Sequence, residues 1–455
     1  MNQKKPDMLQ GSIVKAIVLF FFPIMFGSIF QTLYNTVDAI IVGNFVGKEA
    51  LGAVGGSTGT VINLIVGFIT GLSGGSTVVV AQYYGNNEEE GVHKGVNAGM
   101  FLALTLGLIM LFAGIFFAPG VLKLLNVPDA VYPYSLIYIR IYFLGLLPTL
   151  IYNNGAAILR AVGDSRKPFL FLVISSFLNI LLDLLFVAVL HMETAGAAAA
   201  TVLSQTVSCA LVMYTLTSTS EIYAFHLKDF SLDTGVLKRI LIIGFPVGLQ
   251  ACFYGLANLF IQTGVNANGT DVVAAYTAFN KIDSLFWNAS GAMGQAVLTF
   301  CGQNFGAGKI DRVKKGIWTG VAIYAAGTAC ISAVCIAGAP ALYRLFTSDE
   351  AVIALGISLT YFMSPYWACF CFTEVMSSAI RACGDSLVPM IMTALGIGAL
   401  RIGWIILYPA KDIFGTLLVY PVSWVFTSLL FLGYYLQGGW LKRSLDQRQK
   451  MMDAA

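Results

Sequence analysis

The chain reads as long apolar runs separated by short clusters of Gly, Pro and charge. A membrane-spanning helix needs about 20 consecutive, mostly apolar residues. Twelve runs qualify: 13–42, 51–82, 95–118, 133–155, 169–190, 196–218, 237–264, 272–300, 316–339, 351–379, 389–409 and 415–437. Each predicts a transmembrane helix. The first is expected to stay as helix 1 and not to be removed as a leader. It is too long, carries Asp38 and lacks a small-residue cleavage site.

The polar positions between the runs orient the chain. Cytoplasmic loops collect Lys and Arg. One face gathers nineteen of them: the N-terminus (Lys4, Lys5, Lys15), the loops at Lys94, Arg160–Lys167, Lys228–Arg239, Lys309–Lys315 and Arg381, and the tail. The opposite face has four: Lys48, Lys123, Arg344 and Lys411. Both termini are therefore expected in the cytoplasm, with the chain multi-pass in a bacterial plasma membrane.

The chain also repeats itself. At a shift of 221, Arg160-Ala161-Val162-Gly163-Asp164-Ser165 falls on Arg381-Ala382-Cys383-Gly384-Asp385-Ser386, and Pro119 falls on Pro340. Near the start the register slips by two and pairs Pro23 with Pro246. A repeat of six helices preserves orientation, as in transporters built from parallel repeats. The expected fold is an all-α polytopic membrane protein of twelve transmembrane helices, in two six-helix lobes related by a pseudo-two-fold along the membrane normal. Residues 1–218 form the N-lobe, 219–235 a polar cytoplasmic linker, and 236–455 the C-lobe with a basic tail. The remaining loops are too short for a catalytic or nucleotide-binding domain.

Composition narrows the function. Apolar residues make up 57% of the chain and charged residues 11%, with a mean hydropathy of +0.79; a soluble domain carries about 25% charge. A net charge of +3, scattered along the chain, excludes nucleic acid as a partner. Eight cysteines without metal-ligand spacing and three histidines offer no haem or zinc centre. No cofactor and no enzymatic activity are expected.

An ionisable side chain at mid-membrane costs about 2.5–3.5 kcal/mol and marks a pathway or a paired site. Asp38 lies about five residues, ~8 Å, inside the outer end of helix 1. Asp183 lies about seven residues, ~10 Å, inside the same end of helix 5. Asn179 sits one turn from Asp183, with Ser175 a turn further. Thr201 of helix 6 descends to a comparable depth, and Gln31, Tyr34 and Asn35 line the strip leading to Asp38. Two carboxylates, an amide and a hydroxyl at one height can hold Na⁺, or can trade protons because neighbouring anions repel. The other reading is that each is a helix–helix hydrogen-bond partner that locks the lobe.

The second half lacks this cluster. Helix 7 carries Gln250, Tyr254, Asn258 and Gln262 without an acid. Helix 8 carries Lys281 and Asp283, helix 10 Glu374 and helix 11 Arg401, so Lys281 and Arg401 are expected to neutralise Asp283 and Glu374 as ion pairs. A structural pairing and a gating or proton-linked role both fit these four, and with Gln31, Tyr34, Asn35 and Asn258 they count as candidate substrate-cavity or gating residues. Gly55–Thr60 with Asn63, and Trp287 with Asn288, are candidate cavity linings.

Two motifs carry less than they suggest. Gly302-Gln303-Asn304-Phe305-Gly306-Ala307-Gly308-Lys309 resembles a P-loop but has one residue too many and leaves an apolar helix, not a strand. The Arg and Asp of the repeated Arg-Ala-x-Gly-Asp-Ser loops are expected to clamp helix ends.

These features together resemble the multidrug and toxic compound extrusion (MATE) transporters, over essentially the whole chain. The resemblance rests on the paired Arg-Ala-x-Gly-Asp-Ser loops, on Gln303-Asn304-Phe305-Gly306-Ala307-Gly308, and on Phe177-Leu178-Asn179-Ile180-Leu181-Leu182-Asp183. It implies a V-shaped pair of lobes that alternate access and exchange Na⁺ or H⁺ inward for an organic, often cationic, compound outward. It further implies an N-lobe cation site at Asp38, Asn179, Asp183 and Thr201, with Tyr138 matching a nearby helix 4 tyrosine. One branch of the family carries a Glu in helix 7 for a C-lobe ion site; this chain has Tyr254 and Gly255 there. The expectation is a cation-coupled antiporter, acting as a monomer on small organic substrates. The alternatives are a flippase for lipid-linked precursors, which would want a strongly cationic cavity, and an intramembrane enzyme built on Asp38 and Asp183.

Overall fold

The computed structural model describes residues 7–55, 57–408 and 412–452. Of the residues used above to orient the chain, Lys4, Lys5 and Lys411 and the side chains of Lys48, Arg448 and Lys450 lie outside them. All described secondary structure is helical. The spans are α1 (Ile13–Phe45), α2 (Ser57–Gly85), α3 (Glu89–Leu124) and α4 (Tyr132–Leu144 with Leu146–Ala161). Next come α5 (Arg166–Asp183, continued by a π-turn over Leu184–Val189), α6 (Glu193–Ser218), α7 (Thr234–Asn266) and α8 (Thr270–Gly306). The last four are α9 (Ile310–Arg344), α10 (Glu350–Met363 with Trp367–Ala382), α11 (Leu387–Thr393, a π-turn over Ala394–Ala399, then Leu400–Leu407) and α12 (Ile413–Leu417 with Val419–Leu436).

Ten of these are long and apolar enough to cross a membrane. The two halves of α4 make an eleventh, bent by 45° at Gly145. A Cβ on Gly145 would lie 2.7 Å from Val202, so the bend occurs where α4 presses on α6. The twelfth, α8, has 37 residues and falls outside the apolar set, in keeping with the polar residues Tyr276, Asn280, Lys281, Asp283 and Asn288 along it. Run 51–82 differs from expectation at its start, where a separate short helix, Lys48–Gly55, precedes α2.

The described chain forms two compact units, Phe22–Gly248 and Asp7–Phe21 with Leu249–Ala455. The first turns of α1 thus belong to the second unit, and the first turns of α7 to the first. In the first unit, Val80, Val96, Tyr152, Ile158, Val212 and Tyr223 form a core from α2, α3, α4, α6 and the linker. Lys94 to Asp233 at 3.6 Å and Asn97 to the Ser231 carbonyl at 3.3 Å tie the rest of the linker down.

In the second unit, the Asn304 amide donates to the carbonyl of Met8 at 2.9 Å. Lys309 reaches the Leu9 carbonyl at 3.0 Å, and Arg312 reaches the carbonyls of Met8, Gln10 and Gly11. The P-loop-like motif therefore holds the N-terminal segment. Of the expected Arg and Asp clamp, the aspartates of the repeated loops cap helices, while Arg381 turns back to Ser378 and Glu374 on its own helix. Asp164 accepts from the backbone of Arg166 and Lys167 at 3.2 and 3.1 Å, and Asp385 from Val388 at 3.3 Å. Gly163 and Gly384 supply the left-handed turn at φ 88° and 99°.

Candidate functional site

In the first unit, α1 presents Tyr34 and Asp38 one turn apart on its buried face, at 9% and 7% exposure. Asn179 and Asp183, one turn apart on α5, are 1% and 0% exposed. Asp183 is the last α-helical residue before the π-turn, the kind of local widening that recurs at functional sites. Asp183 lies in the electrostatic field of Asp38, and the hydroxyls of Tyr34 and Tyr138 lie in the field of both. Tyr138, from α4, is buried against Ile62 and Ala198 and stacks on Tyr142 at 6.0 Å.

Five buried atoms here have no hydrogen-bond partner: Asp38 Oδ1, both amide atoms of Asn179 and both oxygens of Asp183. A buried polar atom left unmatched costs about 1–3 kcal/mol, and more when charged. Side chains kept only to lock helices together would be bonded to one another. These are not. No arginine or lysine pairs with either carboxylate among the described residues.

Thr201 is half-buried on α6, and its carbonyl accepts the Ser204 hydroxyl at 2.9 Å. Its own hydroxyl bonds to neither carboxylate. Gln31 is exposed, near the Tyr34 hydroxyl. Asn35 is exposed, turned off the Tyr34–Asp38 face. Sequence reading missed Gln205, which lies near the Tyr34 hydroxyl and whose Oε1 is buried without a partner. The signal was available: Thr201, Gln205 and Ser208 form a polar stripe at helical spacing on α6.

The four charged residues of the second unit pair differently from expectation. Glu374 sits 4.0 Å from Arg381, two turns along its own helix, and accepts from Ser378 at 3.3 Å. Lys281 is exposed and has no ion pair among the described residues. Asp283 accepts the Trp287 indole N–H at 2.7 Å. Trp287 belongs to an aromatic group with Phe286, Phe370 and Trp424, so it packs a core and does not stand free. Arg401 bonds the Ser423 hydroxyl at 3.0 Å and Asn258 Oδ1 at 3.2 Å. The pairing fails because Arg381 lies on the same helix face as Glu374, while α11 turns Arg401 toward α7 and α12. Gly56 and the side chains of Ser57, Thr58 and Thr60, expected to line a cavity, lie outside the described residues.

A family model described as MatE matches the chain twice, over residues 23–185 and 246–405. The chain belongs to the MatE family. The two matches begin at Pro23 and Pro246, the pair that the internal repeat brings together. Family members are transporters, so this chain is a membrane transporter and not an enzyme. A probable multidrug resistance protein, YpnP, from Bacillus subtilis is 30% identical over 96% of this chain and 98% of its own length. A probable multidrug resistance protein, NorM, from Thermotoga maritima is 23% identical over 97% and 96%. A solved structure, a multidrug resistance MATE family transporter in an outward-facing conformation, superimposes with a TM-score of 0.89. It is 25% identical and covers 96% of this chain and 98% of that one. The match to that structure carries the MatE fold of twelve helices in two lobes over 96% of the chain.

Proposed function

We propose that this MatE transporter is a secondary antiporter that exports small organic compounds, cationic or amphipathic, by alternating access, driven by inward movement of Na⁺ or H⁺. Asp38, Asn179 and Asp183 hold the coupling ion, with Thr201 and Tyr138 at its margin. The observation that carries this reading is the group of five unpartnered buried atoms on α1 and α5. Two acids without a basic partner in an apolar lobe need a bound cation or a shared proton to be tolerated. A hard cation prefers oxygen donors, and two carboxylates with an amide oxygen supply them. The multidrug relatives support the substrate class. Ion occupancy then changes how α1 packs on α5, and by linkage substrate weakens ion binding by the same factor.

The test is dye efflux from proteoliposomes under a Na⁺ gradient and a pH gradient imposed separately, with ethidium as reporter. Efflux under Na⁺ alone makes the cluster a sodium site; efflux under pH alone makes it a proton-trading pair. Near-normal efflux by both Asp38→Asn and Asp183→Asn, or none by the unaltered protein under either gradient, would refute the proposal.

A further inference from the structure

Arg401 is 1% exposed on α11, six residues, about 9 Å, from the end of the helix. Its guanidinium stays charged in any protein setting, and a lone arginine at such depth is costly. Its partners are nonetheless neutral. Nε donates to Ser423 Oγ, one Nη to Asn258 Oδ1, and the group lies over the Tyr420 ring at 4.3 Å. No carboxylate lies within 4.0 Å of it among the described residues. Asp283 contributes a field at longer range and is itself engaged by Trp287. The other nitrogen, Nη2, is buried with no partner at all.

The internal repeat sharpens this. At the 221 shift Arg401 falls on Ile180, one turn before Asp183, and at the 223 shift of the first helices Asn258 falls on Asn35, one turn before Asp38. Both fifth helices also carry a π-turn beside the charge, Leu184–Val189 after Asp183 and Ala394–Ala399 before Arg401. Corresponding places in the two units thus hold charges of opposite sign, each with unpartnered buried polar atoms.

We infer that Arg401, with Asn258, Ser423 and Tyr420, forms an anion-binding site in the second unit. The free edge of the guanidinium suits the oxygens of a carboxylate or phosphate, or a halide. Tyr420, Asn258 and Ser423 hold the guanidinium in place and leave its Nη2 edge for the anion. The site is independent of the cation cluster and stands whether or not that cluster couples transport.

The protein offers its own reporter, because all six tryptophans lie in the second unit and Trp424 contacts the Tyr420 ring at 5.6 Å. Tryptophan fluorescence of the purified full chain would be titrated with sodium benzoate, sodium chloride and, as a cationic control, benzylamine. Saturable binding of benzoate or chloride, without a saturable response to benzylamine beyond that of its counter-ion, is expected. Arg401→Gln should weaken it by about tenfold or more, as expected for loss of charge-assisted bonds. Chloride that saturates and competes with benzoate would mark an inorganic anion site; benzoate alone would mark a carboxylate of an organic substrate. If Arg401→Gln fails to fold, Arg401→Lys, which keeps charge but loses the fork, should show an intermediate affinity. Absence of saturation in the unaltered protein, or binding indifferent to both substitutions, would overturn the assignment.

Discussion

Gly75 and Gly71 of α2 face Gly244 and Gly248 of α7 within the first unit. The crossing is backbone against backbone. A Cβ on Gly75 would stand 2.2 Å from the Ile240 carbonyl oxygen and 2.9 Å from the Gly244 nitrogen. One on Gly244 would stand 2.3 Å from the Leu72 carbonyl oxygen. Neither neighbour is a side chain that can swing away, so Gly75→Ala forces the helices apart by roughly 1 Å before van der Waals contact is restored. Small residues at such crossings are what allow membrane helices to pack closely, and overpacking a tight contact costs about 1–3 kcal/mol. Gly75→Ala and Gly244→Ala should each lower thermal stability in detergent, read as the monodisperse fraction surviving a heating series. Together they should cost less than their sum, because the first separation relieves the second clash. Gly327→Ala is the control. It lies in α9 with nothing within 4 Å of its Cβ position, and should be neutral or stabilising by about 0.5–1 kcal/mol. Gly75→Ala melting at or above the unaltered protein would mean that this crossing has room for a methyl group.

Two further outcomes follow from the contacts of Asp164 and Arg312. Asp164→Ala removes the cap on α5 and should cost about 0.5–2 kcal/mol of stability, with Asp164→Asn restoring most of it in the same heating assay. Arg312→Ala frees the carbonyls of Met8, Gln10 and Gly11, so hydrogen exchange over residues 8–12 should accelerate while that of α9 stays unchanged.

The twelve spans were legible because a bilayer demands long apolar runs, and even α8, the most polar of them, shows in the sequence as the run 272–300. What was not legible came from contacts between distant residues. Gln205 sits on a visible stripe, but only the packing of α6 near α1 brings it to Tyr34. The pairing of Glu374 with Arg381 was hidden by its length: a two-turn separation along one helix competes with every charge on neighbouring helices, and sequence cannot rank them. The acids Asp38 and Asp183 were readable as a pair from depth alone. Their lack of hydrogen-bond partners was not, since that depends on where every other polar side chain points. The exchange of helix beginnings between units was equally unreadable, although the glycines at 71, 75, 244 and 248 carried a spacing that marks close helix crossings.

The central claim is that Asp38 and Asp183 link ion binding to substrate binding. It is tested most directly by measuring the ethidium Kd of the purified protein across a series of Na⁺ concentrations and, separately, of pH. The Kd should change by about 5–150-fold with one of the two ions, and become flat in Asp38→Asn and in Asp183→Asn. An unchanged ion dependence in both variants would contradict it.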